Sequence, residues 1–186
     1  MLFLTCFDTT LGCCGIAWSE LGIKGSQLPE ENAGLTRERM RARFPAAREA
    51  EPNALAWHAI DAIKRLLAGD AAAHANLLNI LLDESGVAEF NLRVHAITRH
   101  IPVGQTLTYG EIARLLGEPG AARAVGRAEA ANPFAPIVPC HRVLGAASKS
   151  GGFSAFGGAL TKLKLLAIEA MAVGQLAAEQ RSLFEP

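Results

Sequence analysis

Ile137-Val138-Pro139-Cys140-His141-Arg142-Val143 is an apolar run that breaks into a thiol, an imidazole and a guanidinium, then turns apolar again. One reading is a buried, inert cysteine. The other is a reactive cysteine with an adjacent histidine, in a polar stretch after an apolar run. Cysteine attacks and ligates as the thiolate, and a free thiol with a pKa of about 8.5 supplies little of it at neutral pH. The adjacent His141, with cationic or dipolar groups at its flanks, predicts a lowered pKa for Cys140. Both readings stand at this point. The other cysteines are Cys6, Cys13 and Cys14. A chain this apolar needs no disulfide staples, and no secretory lead-in precedes Leu2–Phe7, so free thiols are expected.

Upstream of the cysteine, Asn132-Pro133 stops a helix predicted over Ala121–Ala130. Gly117–Gly120 is a tight turn before it. Thr108 caps a short helix from Tyr109 to Leu116, with Glu111 three residues on to complete a capping box. Two short helices around a glycine-containing turn fit a helix-turn-helix, and equally an ordinary helical hairpin. Phe90, Val94, Ile97 and Ile101 repeat at helical spacing until Pro102-Val103-Gly104 ends the helix. Downstream, a last helix is predicted from Leu160 to Met171, packing Leu163, Leu166, Ala167 and Ala170.

The opening of the chain has a different period. Leu2–Phe7, Cys13–Trp18 and Leu21–Gly25 read as an antiparallel meander. Adjacent Cys13 and Cys14 then face opposite sides of the sheet. Residues 26–52 are polar and arginine-rich and read as a loop with one short helix. Asn53 caps a helix over Ala54–Ala68, stopped by Gly69, with Leu55, Ala59, Ala62, Ile63, Leu66 and Leu67 on one face. Asn76–Leu82 reads as a strand or an extended crossing segment. A boundary falls near Asp83–Gly86. The class is α+β, with an N-terminal α/β domain over 1–85, a helical domain over 86–175 and a tail over 176–186.

The 186 residues are 50% hydrophobic and 19% charged, which builds a core and excludes a disordered chain. No apolar run reaches the roughly 18 residues that a membrane helix needs, so a soluble, cytoplasmic protein is expected. Formal net charge is zero, and no global field draws the chain to nucleic acid. Locally the balance differs. Between 105 and 165, Arg114, Arg123, Arg127, Arg142, Lys149, Lys162 and Lys164 face only Glu111, Glu118 and Glu129.

Pro139-Cys140-His141-Arg142-Val143 resembles the active-site motif of the O6-alkylguanine-DNA alkyltransferases, the methylated-DNA–protein-cysteine methyltransferases of bacterial type. The likeness extends in order and spacing through Tyr109-Gly110-Glu111-Ile112-Ala113, Ala122-Arg123-Ala124-Val125-Gly126 and Asn132-Pro133. It continues through Ser150-Gly151-Gly152-Phe153-Ser154, Gly157-Gly158, Lys162, Leu165-Leu166 and Glu169. It is dense over 88–170. Before residue 85 it is loose, carried by Leu11-Gly12 and Ala17-Trp18-Ser19.

The resemblance implies a ribonuclease-H-like N-terminal sheet with a helix, and a winged-helix-like C-terminal domain. It implies a suicide reaction in which an alkyl group passes from O6 of guanine, or O4 of thymine, to the protein's own cysteine. Cys140 would be the acceptor, His141 would take its proton through a water, and Glu169 would orient His141. Tyr109 would donate to N3 of the flipped guanine. Ser154 would bond O6, and the carbonyls of Cys140 and Val143 would read the exocyclic amine, beside a loop that Gly151 and Gly152 allow to approach closely. Arg123 would fill the space left by the flipped base, with small Ala122, Ala124 and Gly126 letting the helix enter the minor groove. Asn132 would brace that helix against the cysteine loop.

The expected partner is double-stranded DNA carrying O6-alkylguanine, met by a monomer without cofactor or metal. Two residues depart from the family pattern: Arg127, expected to add a phosphate contact, and Glu129, expected to repel one. The competing function is a silent alkylguanine sensor of the same fold, against which Cys140 itself argues. A methylation-responsive transcription regulator and a cysteine hydrolase are the other classes to separate.

Overall fold

The computed structural model describes residues 1–145 and 154–174. The meander forms as the apolar runs and intervening turns predict: β1 (Phe3–Thr9), β2 (Gly12–Ser19) and β3 (Gly22–Gln27) pair antiparallel, Phe3 opposite Trp18 and Thr9 opposite Gly12. Cys14 enters the core beside Ile16 while Cys13 stays half-exposed, as their adjacency requires. The sheet is not purely antiparallel. A two-residue strand, β4 (Arg48–Glu49), adds parallel to β1 and gives the order β3-β2-β1-β4.

The polar segment before β4 holds more structure than its composition predicts. Asn32 Oδ1 accepts from Leu35 N at 3.0 Å and starts α1 (Ala33–Arg43). This helix buries only Thr36 and Met40, so no apolar period marks it. Met40 lies over Gly15 of β2, where a Cβ would stand 2.4 Å from Met40 Cγ. The missing side chain makes the notch into which the helix docks.

Asn53 caps α2 (Ala54–Leu67) through a bond from Ala56 N at 2.9 Å, and Gly69 turns the chain at φ +87. The expected strand over Asn76–Leu82 is a correction: Ala73–Leu78 is a helix, α3, and only Leu82 bridges to Ile23. An apolar run of this length does not distinguish strand from buried helix. Arg99 settles the matter from outside. Its guanidinium donates to the carbonyls of Leu77 and Leu78, at 2.8 and 3.1 Å, and to that of Ile80, satisfying the helix C-terminus.

In the second half, α4 (Glu89–Arg99), α5 (Tyr109–Leu115) and α6 (Ala122–Ala130) close around Val94, Ile101, Ile112, Ala113, Val125, Ala128 and Val143. The capping box of α5 is complete: Thr108 Oγ1 accepts from Glu111 N, and Glu111 Oε2 accepts from Thr108 N. Gly117, at φ +77, makes the turn toward α6. Residues 107–108 (β5) pair parallel with 143–144 (β6), which sets the start of α5 against the segment after the cysteine. Helix α7 (Ala159–Ala172) forms where expected but buries a different face. Lys162, Leu165 and Glu169 point inward, while Leu163 is 51% exposed and Ala167 also faces out. Phe134, Ile137 and Val138 of the cysteine loop, with Leu165, pack into the same core as β2, β3, α2 and α3.

Candidate active site

Cys140, His141 and Arg142 form one turn of 3₁₀ helix, and all three are buried. The burial that the inert reading of Cys140 requires is thus present. The preceding loop is tied down on both sides. Asn132 Nδ2 donates to Val138 O at 2.8 Å and its Oδ1 accepts from Phe134 N at 2.9 Å, joining the end of α6 to the cysteine loop. From the sheet side, Ser26 N donates to Pro133 O and Ser26 Oγ to Ala135 O, at 2.9 and 2.8 Å. Arg43 of α1 donates to Pro133 O at 3.1 Å and to Ser26 O at 2.9 Å. Ser26 and Arg43 carry no sequence signal, because their role is to reach across to backbone carbonyls far along the chain.

Behind the cysteine is an enclosed charge cluster. His141 Nε2 lies 2.8 Å from Glu169 Oε1. Arg142 Nε reaches both oxygens of Glu169 at 3.0 Å and its Nη2 reaches Oε1 at 2.8 Å. Arg142 Nη1 also donates to Ile101 O and meets His74 Nδ1 at 3.2 Å, while Gly104 N donates to Glu169 Oε2 at 3.3 Å. Burial would raise the Glu169 carboxyl, but hydrogen bonds from His141 and Arg142 hold it at about 2. Burial lowers the pKa of His141 against the pull of Glu169, so the ring is neutral. The neutral ring donates its Nε2 proton to the carboxylate and leaves Nδ1 as an acceptor. That Nδ1 is buried and has no hydrogen-bond partner among the described residues. Arg142, the largest of the fully buried side chains, had no role assigned beyond its place in the motif.

One electrostatic expectation is overturned. The pKa of Cys140 is not lowered. Burial pushes it up to about 12, with the charge of Glu129 in the same direction, and Asn132 and Lys162 oppose this only partly. The neighbouring cation cannot help, because Arg142 is engaged with Glu169, and His141 is neutral. Cys140 therefore rests as a thiol.

Tyr109, the first residue of α5, is half-buried, and Lys162 Nζ lies 5.9 Å from its ring centroid. Lys162 itself is fully buried and donates to Val143 O at 2.6 Å. The Cys140 carbonyl accepts from Val143 N. Each of these two carbonyls keeps a second lone pair. Ser154 is exposed and lines a cavity of about 300 Å³ with Gln27, Arg43, Asn132, Pro133 and Ala135. Gly151 and Gly152 lie outside the described residues. On α6, Arg123 and Arg127 are exposed, and Ala122, Ala124 and Gly126 are half-buried. Glu129 is a further correction. It is 4% exposed and faces the interior, so it repels no phosphate on the outer face.

Cys140 heads a buried His141–Glu169–Arg142 cluster, and the helix pair α5–α6 carries Arg123 and Arg127 on its exposed side. Residues 89–171 match the model of the 6-O-methylguanine DNA methyltransferase DNA-binding domain. A methylated-DNA–protein-cysteine methyltransferase of Mycolicibacterium paratuberculosis is 52% identical over 91 residues, 49% of this chain and 53% of that protein. The match thus spans about half of that relative's length. Its counterpart in Mycobacterium leprae is 44% identical over 128 residues, 64% of this chain and 73% of that protein. The solved structure of Mycobacterium tuberculosis OGT in complex with DNA has a TM-score of 0.71 at 32% identity, covering 91% of this chain and 94% of that one. The chain belongs to the 6-O-methylguanine DNA methyltransferase family.

Proposed function

We propose that the protein repairs DNA by moving an alkyl group from O6 of guanine, or O4 of thymine, onto its own Cys140, one lesion per molecule. The observation that carries this is the orientation of His141. Its Nε2 is fixed on Glu169, and its free acceptor Nδ1 is buried one residue from the thiol. Through a water, Nδ1 takes the Cys140 proton as the sulfur attacks. The S–C bond forms and the C–O6 bond breaks. The electron pair stays on the purine, where donation from the Tyr109 hydroxyl to N3 stabilises it. Glu169 stabilises the imidazolium that results. Because the thiol is held near 12, deprotonation is coupled to attack on a seated substrate, and the free protein does not carry a standing thiolate.

In this reading α6 enters the minor groove and Arg123 replaces the flipped base in the stack. Asn132 couples that helix to the cysteine loop, and Arg127 adds a phosphate contact. The pocket for the flipped base is lined by Val143 and Ser154. The sheet and its helices are a ribonuclease-H-like domain over 1–85. The helix pair is a winged-helix-like domain over 86–175 acting as a monomer in the cytoplasm. A silent sensor of the same fold would need neither the thiol nor the relay behind it.

Gly126 supports the close approach of α6 to DNA. A Cβ there would meet nothing within 4 Å inside the protein, so packing does not require glycine. Gly126→Ala should therefore stabilise the fold by about 0.5–1 kcal/mol. On duplex DNA the added methyl should cost about 1–3 kcal/mol of binding if the groove wall lies against it. Melting and duplex titration read the two effects separately, and unchanged affinity would remove Gly126 from the interface.

The reaction itself is tested with Cys140→Ser. The hydroxyl keeps the pocket's shape and is far less acidic than the thiol. Duplexes containing O6-methylguanine should be bound by this variant and left unrepaired, whereas the wild type converts them to guanine. Repair by the variant would contradict the assignment.

A further inference from the structure

Glu129 lies in the last turns of α6 with its side chain turned inward, 4% exposed. Thr98 Oγ1 of α4 donates to its Oε1. Its Oε2 is buried and has no hydrogen-bond partner among the described residues. The groups that sense its charge come from three elements: Tyr109 at the start of α5, Cys140 in the 3₁₀ turn and Lys162 on α7. On α4, one turn before Thr98, His95 bonds Ala128 O through Nε2 at 3.0 Å, and burial lowers its pKa and keeps it neutral. Arg142 and Glu169 are engaged with one another. Glu129 therefore shares its interior with the thiol and with the cation Lys162. The hydrogen bond from Thr98 alone does not account for a carboxyl with one bare oxygen at this depth, because a buried unsatisfied polar atom carries a real cost.

We propose that Glu129 sets the reactivity of Cys140: its ionised carboxylate competes with the thiolate for Lys162 and holds the nucleophile in its thiol form. This inference rests on Cys140 being the reactive thiol. Glu129 acts through Cys140 and touches no substrate, so it is a positioning residue. Burial pushes its carboxyl up to about 7, against the hydrogen bond from Thr98 and the charge of Lys162. Its charge therefore appears as pH rises through neutrality. The sign follows. Each step upward in pH favours thiolate by mass action, while the growing Glu129 charge disfavours it. The wild-type rate should climb less steeply across this range than a lone thiol would.

The test is the pH profile of Cys140 alkylation by iodoacetamide, from well below to well above pH 7, in wild type and Glu129→Gln. The adduct is counted on the Cys140 peptide by mass spectrometry, so Cys6, Cys13 and Cys14 do not contribute. The two proteins should react alike on the acid side, where Glu129 is neutral. Above neutrality the variant should be faster and its profile steeper. For each unit by which the thiol's pKa falls, the thiolate fraction gains about tenfold and intrinsic nucleophilicity gives part of it back, a net gain of about threefold. Thr98→Val keeps the carboxyl but removes the hydrogen bond that favours its ionised form. The break in the profile should then move to higher pH. Superimposable profiles for all three proteins would overturn the inference.

Free O6-benzylguanine, run in parallel, separates this from the proposed function. If it labels Cys140 in every protein while the iodoacetamide profiles coincide, the inference fails alone. If iodoacetamide shows the shift and O6-benzylguanine labels nothing, the electrostatic link is supported and alkyl transfer is overturned.

Discussion

Glu169→Gln is expected to cost about 3–5 kcal/mol of stability, the penalty for leaving a buried charge without its partner. For a chain of this size the melting temperature should fall on the order of 10 °C. The reason is Arg142, which is fully buried and meets Glu169 through three contacts of 2.8–3.0 Å. Glutamine keeps one acceptor oxygen for three donor residues, His141, Arg142 and Gly104. Its amide nitrogen would confront whichever donor the oxygen does not serve. The pH dependence has a definite sign. The folded carboxyl sits at about 2 against an ordinary 4.5. Its stabilisation is therefore complete above the ordinary value and disappears as pH falls through the folded one. The gap between wild type and variant should be constant near neutrality and narrow in acid, as thermal melting at several pH values will read. A gap that stays constant down to pH 2 would mean that the carboxylate charge is not what holds Arg142 inside.

The second large effect is confined to DNA. Arg123 is exposed on α6, so Arg123→Ala should change stability by no more than about 0.5 kcal/mol. Extruding a base costs a few kcal/mol, and a side chain that fills the vacated space offsets much of it. Reaction with O6-methylguanine in a duplex should fall by on the order of a hundredfold. Reaction with free O6-benzylguanine should be unchanged, because a free base needs no extrusion. Single-turnover rates on the two substrates decide this, and an equal loss on both would make Arg123 a structural residue.

The local signals in the sequence translated well. Asn53 and Thr108 cap the helices they were read as capping, because capping needs only the cap residue and its next three neighbours. The strands β1 and β2 follow from short apolar runs bounded by turn residues. The elements that were not legible are those whose form depends on distant partners. Helix α1 carries no apolar stripe because its docking needs only Met40 and the notch at Gly15. Helix α3 looked like a strand, and Arg99 holds its end from another element. On α7 the sequence predicts an inner face of Leu163, Leu166, Ala167 and Ala170. The structure instead buries Lys162 and Glu169, whose partners Val143, His141 and Arg142 all follow the cysteine.

At the site the same division holds. The resemblance names Cys140, His141 and Glu169; the fold sets His141 on Glu169 and buries Cys140 at the head of the same 3₁₀ turn. Their ionisation was not legible, because proximity in sequence says nothing about depth. The neighbours of Cys140 in sequence predict a lowered pKa, yet burial raises it to about 12. Glu129 was read as a surface charge and is an interior one.

The account stands most directly on where the alkyl group ends up. The protein should be incubated with a stoichiometric duplex containing O6-methylguanine, digested, and its peptides weighed. The account predicts one methyl group per protein molecule, on the peptide containing Cys140, stable to excess thiol because a thioether is not opened by exchange. Saturation should come at one lesion per molecule. An unmodified Cys140 after the lesion has disappeared, or methyl groups removed at many lesions per protein, would contradict it.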